Sequence, residues 1–125
     1  MSSLLIVDDV DTKRLWMRSV LESSGHGVVE AENGMDALNR LENGTFDMVV
    51  TDINMPEMDG VELIHRLRDQ APSGLKILAI SAGTKEQSSD VGLQAGQAVG
   101  ADAILYMPCR PAEFLQAIGA LLGSS

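Results

Sequence analysis

Residues 49–60 read VVTDINMPEMDG, and this stretch decides how the rest of the chain is interpreted. The apolar run from Met48 to Val50 ends on Thr51 and Asp52, and a loop follows with a proline, two further acids and a glycine. A carboxylate at the end of an apolar strand is costly to bury unless something compensates its charge. The stretch therefore points to a site at the end of this strand.

Composition limits the classes of protein to which the chain can belong. It has 125 residues, of which 45% are hydrophobic, enough for one packed domain. The 9 Lys and Arg against 18 Asp and Glu give a net charge of −9, which disfavours nucleic acid and anionic membranes as partners. The start MSSLLIVDD lacks the features of a signal peptide, and the single Cys109 fits a reducing compartment. We expect one cytoplasmic domain over residues 1–125.

Short β-rich runs alternate with helical periodicity along the chain. The five runs are Leu4–Val7, Val28–Ala31, Met48–Thr51, Ile77–Ile80 and Ala103–Tyr106. Between them apolar residues recur with the i, i+3, i+4, i+7 spacing of a helix, most clearly at Gly34, Ala37, Leu38 and Leu41. Asn33, just before that segment, is typical of a helix N-cap.

Alternation of strand and helix predicts the fold class. Five βα repeats indicate an α/β domain whose parallel sheet is covered by helices on both faces. Right-handed crossovers favour an open, doubly wound, flavodoxin-like sheet with strand order 2-1-3-4-5, because five strands are too few for a closed barrel. Ligands of such sheets bind at the carboxyl ends of the strands, near the switch in strand order.

Acids and a hydroxyl occupy the ends of three strands that this order makes neighbours. Strand one runs into Asp8 and Asp9, strand three into Asp52, and strand four into Ser81. Taken alone, the Asp8-Asp9 pair is more often a pair of helix N-terminal acids than a metal site, Asp52 could be a loop cap, and Ser81 is more often a turn hydroxyl. Together they favour a pocket in which Mg²⁺ offsets the repulsion between carboxylates, and in which the acid of strand three attacks phosphorus.

Four motifs resemble the receiver domain of bacterial two-component response regulators. They are LLIVDD, TDINMPEMDG, ILAISA and GADAIL, at residues 4–9, 51–60, 77–82 and 100–105. The second matches the family's D-x-x-M-P-x-M-D-G, and the resemblance extends over essentially the whole chain. It implies a receiver-like (βα)5 fold and a single receiver domain.

The resemblance also implies a role for each site residue. Asp52 would be the phosphoacceptor, supplied by a histidine kinase or a histidine phosphotransfer protein. Asp8 and Asp9 would hold Mg²⁺, or Mn²⁺, together with Asp52 and the backbone carbonyl of Asn54. Ser81 would be the hydroxyl that swings towards a phosphoryl oxygen when the domain switches.

One departure from the family lies at the end of strand five. The family has a lysine before a proline there, whereas Met107 precedes Pro108 in this chain. A point charge at ~4 Å is worth roughly 1–4 kcal/mol, so we expect slower phosphorylation or weaker coupling to the switch. Lys85 or Arg110 could replace the charge, although each is more simply a solvated surface residue. The sequence leaves open whether the Met107–Pro108 bond is cis, as the corresponding bond of the family is.

Further departures from the family lie in the surface through which receiver domains contact their downstream partners. The aromatic residue of mid-strand five is replaced by Ile104, with Tyr106 as an alternative reporter or an ordinary half-buried tyrosine. The span from Ser81 to Pro108 is about one helical turn longer than the family norm, in the region VGLQAGQAVGAD at residues 91–102. It carries Gly92, Gly96 and Gly100, which weaken a fourth helix. The resemblance implies that the fourth helix, strand five and the fifth helix contact a downstream protein target, and form a homodimer if one exists.

Two classes of function remain. The first is a stand-alone, Mg²⁺-dependent phosphoacceptor, which directs its own phosphorylation but is not a metabolic enzyme. The second is a receiver-like interaction module that acts without phosphate, favoured by the missing lysine and opposed by the retained acids. An aspartyl phosphatase is disfavoured because Asn54 stands where its D-x-D motif needs an acid. A flavin protein is disfavoured because strand one leads into acids rather than a phosphate loop.

Overall fold

A computed structural model describes residues 2–53, 60–70, 74–82 and 100–123 of the chain. Its strands are β1 Ser3–Val7, β2 Gly27–Ala31, β3 Met48–Asp52, β4 Lys76–Ala82 and β5 Ala103–Met107. The helices of the described residues are α1 Asp11–Ser23, α2 Gly34–Glu42, α3 Gly60–Gln70 and the C-terminal helix Pro111–Leu122. The predicted fourth helix, with Gly92 and Gly96, lies outside the described residues, and so do Asn54 and Lys85.

All five strands form one parallel sheet in the order β2-β1-β3-β4-β5, which confirms the predicted topology. Strands β1 and β2 end where the apolar runs predicted, whereas β3, β4 and β5 end one or two residues later, because ladder pairing continues beyond the runs. Asp52 pairs with Ile80, and Met107 pairs with Ala82. Asp52 is therefore the last residue of β3 rather than the first residue of a loop, so the sheet itself fixes its backbone.

Helices cover both faces of the sheet, and each face has its own apolar core. One face packs against α2 and α3 through a cluster that includes Leu5, Val49, Ile77, Ala37 and Leu63. The other face packs against α1 and the C-terminal helix through a cluster that includes Leu4, Val50, Leu78, Met17 and Phe114. Because side chains alternate along a strand, Asp8 and Asp52 follow the second set and lie on the α1 side of the sheet.

Local signals in the sequence account for the helix positions. Asn33 Oδ1 accepts a hydrogen bond from the Asp36 N–H at 2.8 Å and caps α2, as predicted. Pro111 begins the C-terminal helix, where its missing N–H costs nothing. The rings of Trp16 and Phe114 lie 5.5 Å apart and join α1 to that helix. Among the described helices, none combines the length and the apolar character that crossing a bilayer requires.

Candidate metal and phosphoacceptor site

The carboxyl ends of β1 and β3 bring three acids together. Asp8, Asp9 and Asp52 each place a carboxylate oxygen within 4.8 Å of the other two. Asp8 is fully buried and Asp52 is 4% exposed, whereas Asp9 faces solvent. The sheet register explains the meeting, because β1 and β3 are adjacent parallel strands whose last residues lie at the same edge.

Asp8 is held firmly, yet one of its oxygens lacks a hydrogen bond. Its N–H donates to the Ala31 carbonyl at 3.1 Å, and its Oδ1 accepts from the Val10 N–H at 2.8 Å. Its Oδ2 is buried and accepts no hydrogen bond from the described residues. Burial raises the pKa of the Asp8 carboxyl, and the nearby Asp52 charge adds to this, although the Val10 N–H and Lys13 oppose it.

This arrangement fits a hard divalent cation. Three carboxylates offer the oxygen ligands that Mg²⁺ and Mn²⁺ prefer. The observation that tests the fit is the buried Asp8 Oδ2, which accepts no hydrogen bond from the described residues and has an ion-pair contact with Lys13 Nζ at 3.1 Å. Asn54, the predicted carbonyl ligand, lies outside the described residues.

A lysine that sequence reasoning missed also reaches the acids. Lys13 Nζ donates a hydrogen bond to Asp52 Oδ2 at 3.0 Å. It also lies 3.1 Å from Asp8 Oδ2, where it forms an ion pair without the geometry of a hydrogen bond. Burial lowers the pKa of Lys13, but contact with the two carboxylates outweighs it, and the net effect raises that pKa. The sequence feature that could have indicated this contact is the position of Lys13 as the third residue of α1, because α1 starts just beyond the end of β1.

Met107 provides packing at the position where the family has a charge. It ends β5, is 8% exposed, and belongs to the same core cluster as Phe114. Its Sδ lies 3.4 Å from Cys109 Sγ, and the Met107–Pro108 peptide bond is cis. Met107 therefore extends the apolar core towards the carboxyl edge of the sheet.

The other predicted site residues lie around this edge. Arg110 is exposed at the start of the C-terminal helix, where its N–H donates to Glu113 Oε1 at 2.8 Å. Ser81 is 2% exposed and pairs with Tyr106 across β4 and β5. The Tyr106 hydroxyl is buried without a hydrogen-bond partner in the described part of the chain, and Ile104 packs against the core on the α2 and α3 side.

Comparisons with known proteins agree with this geometry. The family model of the response regulator receiver domain matches residues 4–119. Chemotaxis protein CheY-3 of Vibrio cholerae is 40% identical over 95 residues, which are 74% of this chain and 73% of that protein. Sensor protein EvgS of Escherichia coli K12 is 39% identical over 94 residues, which are 75% of this chain but only 8% of that much longer protein.

Solved structures give the same result. A putative response regulator from Chloroflexus aurantiacus is 32% identical with a TM-score of 0.86, over 98% of both chains. Response regulator TrrA from Thermotoga maritima, solved in complex with Mg²⁺-BeF, is 27% identical with a TM-score of 0.82, over 97% of this chain and 99% of that one. From its sequence motifs, its sheet topology and these matches, the chain belongs to the response regulator receiver domains of two-component signalling.

Proposed function

We propose that this receiver, as a single domain over residues 1–125, accepts a phosphoryl group on Asp52 with Mg²⁺ as cofactor. The donor would be the phosphohistidine of a histidine kinase or of a histidine phosphotransfer protein. The observation that carries the proposal is the meeting of three carboxylates, Asp8, Asp9 and Asp52, two of them buried, with a single nearby cation among the described residues, Lys13. One lysine leaves this group of three carboxylates with an excess of negative charge, which is costly to bury unless a further cation compensates it.

The proposed transfer is a single displacement at phosphorus. A carboxylate oxygen of Asp52 forms a bond to phosphorus while the P–N bond of the phosphohistidine breaks, and the leaving imidazole nitrogen takes a proton from solvent. The chain contributes a nucleophile whose backbone is fixed by pairing with Ile80 and by the Ile53 N–H, which donates to the Ile80 carbonyl at 2.9 Å. This fixed position lowers the entropic cost of reaching the reactive geometry.

Asp8, Asp9 and Asp52 would hold the metal, and Asn54 is proposed to add its backbone carbonyl. When bound, Mg²⁺ supplies positive charge that offsets the charge on the phosphoryl oxygens. The Thermotoga relative solved with Mg²⁺-BeF supports this choice of cofactor.

Ser81 and the surface beyond it are the proposed route of the signal. Ser81 lies on β4 beside β3, and its ladder pairing with Tyr106 links the pocket to β5. We propose that its hydroxyl engages the phosphoryl group, and that β5, the C-terminal helix and the segment before β5 contact a downstream protein. A homodimer through the same surface is part of this proposal.

Intact-mass spectrometry after incubation with Mg²⁺ and acetyl phosphate tests the function. The wild type should gain one phosphoryl group, and Asp52→Asn should gain none. Asp69→Asn is the matched control, since it removes an exposed carboxylate on α3 and should behave as wild type. An unmodified wild type, or an Asp52→Asn variant that still gains the group, would refute the proposal.

One observation favours the alternative module that acts without phosphate. Lys13 already lies on Asp8 and Asp52, so the pocket is partly neutralised by the chain itself. Under that alternative the protein would bind its partner equally well with Asp52 intact or changed to Asn, and Mg²⁺ titration by calorimetry would release no heat.

A further inference from the structure

Lys13 lies between the two buried carboxylates at nearly equal distance from each. Its Nζ is 3.0 Å from Asp52 Oδ2 and 3.1 Å from Asp8 Oδ2. Its side chain is 20% exposed, so most of the side chain is covered by the protein. Of the cations in the described ranges, Lys13 is the one within 4.0 Å of these carboxylates.

Sheet geometry explains how a helix residue can take this position. Asp8, Asp52 and Met107 all lie on the face that α1 and the C-terminal helix cover, because each follows the alternation of that core cluster. Met107 approaches this face from β5, two strands away from Asp52. Lys13 approaches it from the first turn of α1, which begins at Asp11, soon after β1 ends at Val7.

We propose that Lys13 is the cationic partner of the phosphoacceptor in this protein, supplying from α1 the charge that the family takes from β5. This inference rests on the proposed function of Asp52. The Lys13 amine would hold the Asp52 carboxylate before transfer and a phosphoryl oxygen after it. Met107 can then be apolar without loss of the charge that the reaction needs.

The same position makes Lys13 a competitor of the metal. Asp8 Oδ2 and Asp52 Oδ2 are the oxygens that the amine contacts, and their carboxylates belong to the candidate metal cluster. A cation already held by those carboxylates raises the free-energy cost of binding a second cation beside them. Two unit charges at ~4 Å repel enough in water to change an affinity about fivefold. Lys13 should therefore weaken Mg²⁺ binding while it assists phosphoryl transfer.

The decisive variants change the charge at position 13 and little else. Lys13→Met keeps the long apolar stem and removes the ammonium, and Lys13→Gln is a second neutral variant should the first fold poorly. Lys76→Met is the matched control, since Lys76 is exposed at the start of β4 and its loss changes the net charge equally. The double variant Lys13→Met, Met107→Lys restores a cation from the family's position.

Two measurements are made on each variant. Calorimetry gives the affinity for Mg²⁺ alone, and mass spectrometry follows phosphorylation by acetyl phosphate at saturating Mg²⁺. Lys13→Met should bind Mg²⁺ about fivefold more tightly and become phosphorylated about tenfold more slowly. Lys76→Met should match wild type, and the double variant should recover most of the lost rate.

The outcomes separate this inference from the proposed function. Equal behaviour of Lys13→Met and Lys76→Met in both measurements would overturn the inference while the function of Asp52 stands. Tighter Mg²⁺ binding with an unchanged phosphorylation rate would also overturn it, because Lys13 would then only fill the pocket. If wild type itself is never phosphorylated, the proposed function fails, and so does the catalytic part of the Lys13 inference.

Discussion

Arg68 on α3 donates from Nη2 to Asp102 Oδ2 at 2.7 Å, in the turn that leads into β5. The same guanidinium donates to the carbonyls of Leu75 at 2.7 Å and Gly100 at 2.8 Å. Asp102 Oδ2 in turn accepts from the Ile77 N–H at 2.7 Å. The Arg68 side chain therefore joins α3 to the starts of β4 and β5. Of these two strands, β5 is the one proposed to carry the signal outward.

Arg68→Ala should destabilise the domain by about 1–3 kcal/mol, because it leaves a carboxylate and two carbonyls without a charged donor. Urea unfolding followed by circular dichroism measures the change. Arg66→Ala is the control on the same helix, since Arg66 forms only an exposed pair with Glu62 among the described contacts. Equal losses of unfolding free energy in the two variants would show that the Arg68 contacts stabilise the domain no more than an exposed surface pair does.

Gly100→Ala should be more destabilising than Gly74→Ala. Both glycines have positive φ, +104° and +99°, so both changes strain the backbone. An added Cβ at Gly100 would lie 3.0 Å from Arg68 Cγ, whereas nothing lies within 4 Å at Gly74. We expect an excess loss of about 1 kcal/mol at Gly100, in the same unfolding experiment. An equal loss of stability in the two variants would mean that the Arg68 side chain moves away from the added Cβ without a measurable energetic cost.

Glu30 should make stability depend on acid pH. A hydrogen bond from Arg18 holds the pKa of the Glu30 carboxyl below its ordinary value of 4.5, and Arg14 adds to this against the effect of burial. A lowered pKa means that the ionised carboxylate stabilises the fold above about 4.5 and that this contribution is lost as the pH falls through the folded-state pKa.

The test compares wild type with Glu30→Gln in unfolding experiments at about pH 7 and about pH 3. The variant should be less stable near neutral pH, and the difference should shrink in acid. Glu42→Gln, an exposed carboxylate at the end of α2, controls for the general change in charge. A difference that stays constant across the range would contradict the assignment.

Asp8→Asn should stabilise the metal-free protein. Burial raises the pKa of the Asp8 carboxyl above its ordinary 3.8, so the fold favours the protonated form and loses that advantage as the pH rises through the folded-state pKa. An amide mimics the protonated acid, and we expect a gain of about 0.5–2 kcal/mol near neutral pH. Thermal unfolding with and without Mg²⁺ measures this.

Added Mg²⁺ should raise the midpoint of the wild type and leave that of Asp8→Asn nearly unchanged, because a cation that binds only the folded state stabilises it. A less stable Asp8→Asn protein without metal would mean that the Lys13 contact outweighs the cost of burying the charge.

The parts of this structure that follow repeating patterns were predictable from the sequence. The strand order and the meeting of Asp8 with Asp52 follow from βα alternation and from strand ends, both of which are local properties. The carboxyl ends of β3, β4 and β5 were not predictable in this way, because pairing such as that of Asp52 with Ile80 depends on the neighbouring strand rather than on local hydrophobicity.

Lys13 escaped prediction for a different reason. A lysine beside Asp11 in a first helical turn normally interacts with solvent or with helix neighbours, and its contact with Asp52 spans 39 residues of sequence. Only the tertiary packing of α1 against this face of the sheet brings these groups together. Conversely, the sequence indicates only that a charge is missing at Met107, and the structure shows that its side chain is part of the core.

Locating the transferred phosphoryl group tests the central claim most directly. Borohydride converts an aspartyl phosphate to homoserine, which peptide mass spectrometry can assign to one position. After treatment of the wild type with acetyl phosphate and Mg²⁺, homoserine should replace Asp52 and no other acid, and chelation of the metal should abolish it. Homoserine at a different acid, or at Asp52 in equal amount without metal, would contradict a Mg²⁺-dependent phosphoacceptor at the end of β3.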